Sequence, residues 1–397
     1  MKLPIPSAVR SLLRRYDPSS ALETARLARS LAQSAHDRIT TGSGPQDAPD
    51  GFPLQPWWEQ SFWEPTVALA IRDYCRPGGV VFDVGTNAGG LAMMMSRLVG
   101  PRGIVLAFEA SPRIIAKTQH NLVKAGCNNV TLFHRAIWNK TGETVMMAAG
   151  THLNDRIEAG TQGMPVRTLA LDDLARAGDF RPSFIKMDIE GAEFDALHGM
   201  EWLLREVRPV MVLEQAPEDT RCLELLTQAG YAAMDLASYR RITGAADFSP
   251  GVGVANLLFA PQEAISDSPY FSTAQPEAIM SLAPDQFVTG ADGVIRFAPA
   301  IRLPAGRYIL RSGMTAEGTD NEAFAGVEVN GAPVFRYHSY TKFLANSYSD
   351  WVFQLERESL VTPYVQFLRG GDSTLEFRSA VIVRLPAFDN VAEPVLQ

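Results

Sequence analysis

Apolar residues in the central part of the chain fall into short runs that alternate with helical stripes. Runs suited to strands occupy 80–84, 103–108, 130–134, 183–187, 210–214, 231–236 and 254–260. Stripes with apolar residues three and four apart fill 65–76, 88–99, 112–125, 191–205 and 219–229. Strand and helix in alternation predict a largely parallel sheet with helices on its faces. The last run follows the sixth closely, with Gly and Pro between them, which predicts a closing antiparallel pair. Two extended pieces, 144–147 and 165–168, read as an inserted hairpin region.

The pattern differs on either side. Val9, Leu12, Leu13 and Tyr16 share one helical face beside Arg10, Arg14 and Arg15, and a second stripe runs from Leu22 to Ala35. This leader packs on the main domain or a partner, or lies weakly on a membrane surface. A Gly-, Pro- and Asp-rich stretch over 42–53 links it to the core. Beyond 283 the helical period fades. Short alternating runs appear at 307–311, 327–329, 334–337, 351–355, 364–368 and 374–384, and Asn330-Gly331 between two of them is a strong hairpin signal. The expected organisation is a helical leader and linker over 1–50, an α/β domain over 54–262, and a β-sandwich or jelly-roll domain over 283–390.

Composition narrows the class. The 397 residues carry 36 basic and 44 acidic side chains, for a formal charge of −8. That balance argues against a broad nucleic-acid-binding face. Cys75, Cys127 and Cys222 are far apart and form no metal pattern, as expected of reduced thiols in a cytoplasmic protein. No apolar run reaches the ~18 residues of a transmembrane helix, and the N-terminus lacks a signal-peptide core. Stable membrane insertion is not expected.

The chemistry sits at strand ends. The first run, Val80-Val81-Phe82-Asp83-Val84, turns through Gly85, Asn87, Gly89 and Gly90 into a helical stripe. Such a loop lets a ligand approach the backbone and aims helix N–H groups at it. The second run ends in Glu109, placed to bind a ribose diol. Together they indicate a nucleoside cofactor. A dinucleotide fingerprint needs G-x-G-x-x-G, but Asn87 stands where its second glycine would be, and no G-K-[ST] follows for a P-loop. S-adenosylmethionine has no pyrophosphate to cradle, so a side chain between the glycines is acceptable, and Asp83 and Asn87 can meet its methionine end. A dehydrogenase is the next reading. The fourth run, Phe184-Ile185-Lys186-Met187, leads into Asp188, Glu190 and Glu193. Ligands of open α/β sheets bind at such strand ends, so Asp188 and Glu190 are expected to face the pocket. Glu193 either joins them or serves the helix that follows.

With these pieces in order, residues 62–215 resemble the FkbM-type methyltransferase family. The matching segments are Trp63-Glu64-Pro65, Phe82 to Gly89, Phe108 to Pro112, Ala136 to Gly142, Leu169 to Leu174, Ile185 to Glu193 and Pro209 to Glu214. The resemblance implies a class I Rossmann-like fold with a mostly parallel seven-stranded sheet. It implies S-adenosylmethionine as cofactor and a hydroxyl acceptor, often on a sugar. It assigns Asp83, Gly85, Asn87 and Gly89 to the cofactor loop, Glu109 to the ribose, Ala136 to the adenine, and Asp188, Glu190 and Glu193 to the acidic motif. Thr86 stands where Ala is usual, Ala110 where Pro is usual, and Asn139 where Asp is frequent.

The expected activity is transfer of a methyl group to a hydroxyl of a polysaccharide, glycolipid or glycoside. The alternatives are a non-sugar hydroxyl, or a glycan-binding scaffold whose methyltransferase fold no longer turns over. Candidates for general base are Asp188, Glu190, Glu214 at the end of the fifth run, and His152 in the inserted segment. The carboxylates alternatively hold Mg²⁺, but their spacing defines no metal site. Two aromatic groups suit sugar stacking or a hydrophobic seam: Trp57, Trp58, Phe62 and Trp63, and the Phe335 to Trp351 stretch. The second equally suits a sandwich core or a homo-oligomer contact.

Overall fold

The structure, a computed structural model, describes residues 64–148, 156–157, 163–249, 252–271, 276–318, 322–340, 349–367 and 374–386. The leader, the aromatic group 57–63 and His152 lie outside these residues. The chain divides into two compact units, whose described parts are residues 70–265, and 266–386 together with 64–69.

The described chain opens with helix α1 (Pro65–Tyr74). Then come β1 (Val80–Val84), α2 (Gly90–Val99), β2 (Ile104–Glu109), α3 (Ile115–Lys124) and β3 (Val130–His134). A small antiparallel and parallel excursion follows, with β4 (Ala136–Ile137), β5 (Thr144–Ala148), β6 (Arg156–Ile157) and β7 (Met164–Leu169). Helix α4 (Leu171–Gly178), β8 (Phe184–Met187), α5 (Glu193–His198), β9 (Val210–Gln215), α6 (Arg221–Gln228), β10 (Tyr231–Asp235), β11 (Arg241–Ile242) and β12 (Ala255–Pro261) complete the unit.

Its main sheet has eight strands in the order β11-β10-β12-β9-β8-β1-β2-β3. The strands β3, β2, β1, β8 and β9 run parallel, and β12 enters antiparallel between β9 and β10. The expected closing pair is therefore present, and a two-residue edge strand, β11, adds an eighth member to the expected seven. Strands β1, β2 and β8 are almost wholly buried, as befits parallel strands covered on both faces. Phe82, Val84, Leu106, Phe108, Ile185 and Met187 belong to one hydrophobic cluster with residues of α4 and α5.

Two departures from the sequence pattern have local causes. Helix α4 was not expected, because its stripe is only Leu171, Leu174 and Ala175. The helix expected over 191–205 is broken at Gly199, where a Cβ would stand 2.2 Å from the Trp138 carbonyl oxygen. The chain resumes through Trp202 into a π-helical turn, Leu203–Val207, whose start is held by Asp172. That carboxylate accepts the Trp202 and Leu203 N–H groups at 2.7 and 2.9 Å.

The second unit is β-rich. It contains β13 (Glu277–Leu282), β14 (Phe287–Thr289), β15 (Val294–Phe297), β16 (Ile301–Leu303), β17 (Gly306–Glu317), β18 (Glu322–Val329), β19 (Ala332–Tyr340), β20 (Ser349–Leu355), β21 (Ser359–Phe367) and β22 (Thr374–Arg384). One sheet has four strands, β13-β22-β17-β20, and the other six, with β14, β15, β21, β18 and β19 in line and β16 beside β21. Both sheets contribute to one hydrophobic cluster that includes Phe297, Tyr308, Val327, Trp351, Val365 and Ile382. Asn330 and Gly331, with φ of 51° and 82°, make the hairpin turn between β18 and β19. Trp351 is wholly buried, so this member of the expected sugar-stacking group is core. The side chains of 334–340 and the segment 341–348 lie outside the description.

Candidate functional site

The chain order reverses between β1 and β8. From β1 it proceeds through β2 to β3 on one side, and from β8 to β9 on the other. Carboxyl ends of strands at such a switch point leave a crevice for a ligand. An open cleft lies there. Its walls are Val84, Gly85 and Asn87 after β1, Phe108 to Ala110 at β2, Arg135 to Ile137 at β4, Met147, and Asp188 to Glu190 with Ala192 after β8.

The loop after β1 is held from three sides. The Phe108 carbonyl accepts the Gly85 and Thr86 N–H groups, each at 3.0 Å. Glu109 accepts the Asn87 N–H through Oε2 at 2.8 Å and the Ser111 N–H through Oε1 at 2.7 Å. The Thr118 hydroxyl donates to the Asn87 carbonyl, and Asn121 Nδ2 donates to the Ala88 carbonyl at 2.8 Å. Gly85 has φ +79°, and a Cβ there would lie 1.8 Å from the Asp188 carbonyl oxygen. No side chain fits where β1 and β8 approach so closely. Asn87 takes φ 47°, a conformation Asn tolerates better than most residues. Its Oδ1 is buried without a hydrogen-bond partner and so offers an acceptor at the cleft wall.

Asp83 is placed differently from the sequence expectation. It is wholly buried, takes the Thr86 hydroxyl on Oδ2 at 2.6 Å and does not line the cleft. Burial pushes its carboxyl above the ordinary range, while the Lys186 charge and the Thr86 bond pull it back. It braces the loop from below. Burial also raises the Glu109 carboxyl against its two amide bonds. Glu193 is buried and accepts the Ile189 N–H through Oε1 at 2.8 Å, so it fastens the turn after β8 rather than facing the cleft. Its carboxyl too is raised by burial.

Asp188 and Glu190 both reach the cleft, Glu190 from an exposed position with φ 55°. Gly85, Asn87, Glu109 and Ala136 reach it as well, whereas Gly89 and Glu214 are not in its walls. Gly89 has φ +89° and leads into α2; Glu214 is half-buried near the end of β9.

The sequence reading passed over Lys186. It is 4% exposed, on β8, and its Nζ donates to Asp188 Oδ2 at 3.1 Å and to the Gly85 carbonyl at 3.3 Å. The signal was a lysine among Phe184, Ile185 and Met187 in a strand buried on both faces. Lysine enters such a position only with partners for its charge.

Residues 83–232 match the Methyltransferase FkbM domain. These residues form a methyltransferase domain of the FkbM family. The hexuronic acid methyltransferase AglP of Haloferax volcanii is 28% identical over 169 residues, which span 42% of this chain and 69% of that protein. A protein-L-isoaspartate O-methyltransferase of Methanococcoides burtonii is 29% identical over 84 residues, or 21% of this chain and 41% of its own length. The solved structure of methyltransferase FkbM from Methylobacillus flagellatus KT aligns with a TM-score of 0.32 at 17% identity, over 48% of this chain and 50% of that one. So low a score adds nothing to the sheet order already described. The domain is that of an S-adenosylmethionine-dependent enzyme. Among the described residues, no helix is long and apolar enough to cross a membrane, and no group of three or more His, Cys, Asp or Glu is set to hold a metal ion.

Proposed function

We propose that the chain is a class I Rossmann-like O-methyltransferase that moves a methyl group from S-adenosylmethionine to a hydroxyl of a sugar, in a polysaccharide, glycolipid or glycoside. The supporting observation is the cleft at the β1/β8 switch point, which brings Asn87, Glu109 and Asp188 to one wall system around a loop too close-packed for a side chain at Gly85. The sugar acceptor is supported by the likeness to AglP, whose name gives a hexuronic acid as its substrate.

The cleft's polar groups suit the cofactor's two ends. Glu109 keeps further acceptor capacity for a ribose diol beyond its two amide bonds. Asn87 Oδ1 and Asp188 suit an amino group, and Ala136, with no bulk, leaves room for a flat base beside Ile137. When bound, the cofactor supplies an electrophilic methyl group on sulfonium. The protein's task is to align the acceptor oxygen behind it and exclude water, and positioning of this kind supplies much of the rate. Glu190 stands at the exposed rim and is assigned the acceptor's proton, while Asp188, engaged by Lys186, is assigned to orientation. Glu214 is set aside as base because it is not in the walls.

The β-rich unit, with both sheets around one core, supports a β-sandwich module that follows a methyltransferase domain over 54–262 and starts with β13 at Glu277, earlier than the expected 283. Its proposed task is to recruit the acceptor, in a cytoplasmic protein.

The test is calorimetric titration of the purified protein with S-adenosylmethionine and, separately, NADH, repeated on Glu109→Ala, followed by transfer of labelled methyl to uronic-acid and neutral glycosides. Micromolar binding of the sulfonium cofactor that the variant loses, with label in a sugar, is the expected result. Preference for NADH or no binding would refute the reading; label only in non-sugar hydroxyls would refute the acceptor class.

A further inference from the structure

We propose that Lys186 is a positioning residue of the cofactor cleft, whose ammonium ties the Asp188 carboxylate to the Gly85 carbonyl and so sets both walls of the β1/β8 junction. The inference deepens the proposed function and rests on it. Three observations carry it. Nζ lies within hydrogen-bond distance of Asp188 Oδ2 and of the Gly85 oxygen, which belong to cleft-wall residues just past the ends of β8 and β1. Second, the ammonium binds Asp188 through Oδ2, and Asp188 is a residue of the cleft wall. Third, the side chain is buried at a register position directly beside Asp83 on β1, and its charge acts on Asp83 and Glu109 as well as on Asp188.

The geometry is that of a strut. Gly85 and Asp188 already touch through backbone, since no Cβ fits between them. Backbone contact sets their separation, but it does not set the rotation of the Asp188 side chain. A charge-assisted bond does, because an ammonium attracts a carboxylate more strongly than a neutral donor would. The titratable groups facing this ammonium are Asp188 on its own strand's end, Asp83 on β1 and Glu109 on β2. Glu193 on α5 faces Asp188, and the Cys75 thiol after α1 faces Asp83. On β9 the neighbour of Lys186 is Val212, which carries no charge. Without the lysine, Asp83 and Glu109 lose a charge that lowers their raised carboxyls, and both hold their protons to higher pH.

The experiment is calorimetric titration of Lys186→Met and Lys186→Arg with S-adenosylmethionine between about pH 5 and 9, with Asp188→Asn and the double variant Lys186→Met/Asp188→Asn beside them. Lys186→Met matches the lysine stem in shape and removes only the charge. It is expected to bind about tenfold more weakly at neutral pH. Its loss of affinity on acidification is expected to set in about one pH unit higher than in the wild type. In the Asp188→Asn background the same change is expected to cost much less. Lys186→Arg keeps the charge, and its acid limb is expected to stay with the wild type. Wild-type affinity and pH profile in Lys186→Met would overturn the proposal. So would an equal loss at every pH that persists in the Asp188→Asn background, since that marks packing alone. Should Lys186→Met fail to fold, Lys186→Arg decides: an acid limb displaced from wild type counts against the proposal. Failure of the wild type to bind S-adenosylmethionine would instead remove the function on which the inference rests.

Discussion

Replacing Gly85 by alanine tests the cleft most directly, because two separate costs meet at that residue. The first is conformational. Gly85 has φ +79°, and a residue with a Cβ loses roughly 1–2 kcal/mol in that region. The second is steric. The new Cβ would stand 1.8 Å from the Asp188 carbonyl oxygen, where real contacts do not fall below 3.0 Å. The obstacle is backbone, so no side-chain rotation relieves it, and the ends of β1 and β8 must separate by more than about 1 Å. Displacement on that scale costs on the order of a hundredfold when it misplaces reacting groups. Gly78 supplies the control. Its φ is +78°, yet nothing lies within 4 Å of a Cβ placed there. Gly78→Ala therefore carries the conformational cost alone. Thermal melts should show both variants destabilised, Gly85→Ala more so. Calorimetry should show S-adenosylmethionine affinity unchanged in Gly78→Ala and reduced in Gly85→Ala, with methyl transfer by Gly85→Ala slower by about a hundredfold. Wild-type affinity in Gly85→Ala would show that the close approach of β1 and β8 does not shape the site.

Other outcomes follow from the same contacts. Asp172→Ala should cost about 1–2 kcal/mol in melts by removing the acceptor for the Trp202 and Leu203 amides, with cofactor affinity unchanged. Gly199→Ala should cost about 1–3 kcal/mol through its clash with the Trp138 carbonyl, since its φ of −88° is ordinary for alanine. The pH dependence of stability has a definite sign. Burial raises the carboxyls of Asp83, Glu109 and Glu193, so between the unfolded carboxylate range and those raised values the folded chain holds protons that the unfolded chain has released. The cofactor-free protein should therefore gain stability as the pH falls through the raised values toward the ordinary carboxylate range, and Asp83→Asn should flatten that slope. An unchanged slope in Asp83→Asn would refute this account.

Legibility followed the range of the forces involved. The expected run 80–84 and the strand Val80–Val84 coincide, and the loop, Glu109 and the acidic turn were all readable, because each is a local pattern with local causes. The Asn330-Gly331 turn was readable for the same reason: two residues suffice to make it. What escaped depended on distant partners. Asp83 reads as a ligand residue until Thr86 and Lys186 are seen around it. Lys186 reads as an irregularity in an apolar run until the Gly85 carbonyl, a hundred residues earlier, comes to meet it. The break at Gly199 needs the Trp138 carbonyl, and the burial of Trp351 needs two sheets. Composition could not separate an aromatic wall from an aromatic core.

The pairing of β1 with β8 also has a consequence for the order in which the molecule is made. Strands β1, β2 and β3 are close along the chain and can pair as they leave the ribosome, yet the Gly85 carbonyl finds Lys186 only across a separation of 101 residues. Closing a loop of that length is entropically unfavourable and comes late. A nascent chain that stops short of Phe184 leaves one side of β1 unpaired, an apolar parallel edge of the kind that aggregates. The cleft is thus completed only once β8 and the turn to Ala192 have been made, before β9 to β12 leave the ribosome. The strand that finishes it also covers that open edge of β1.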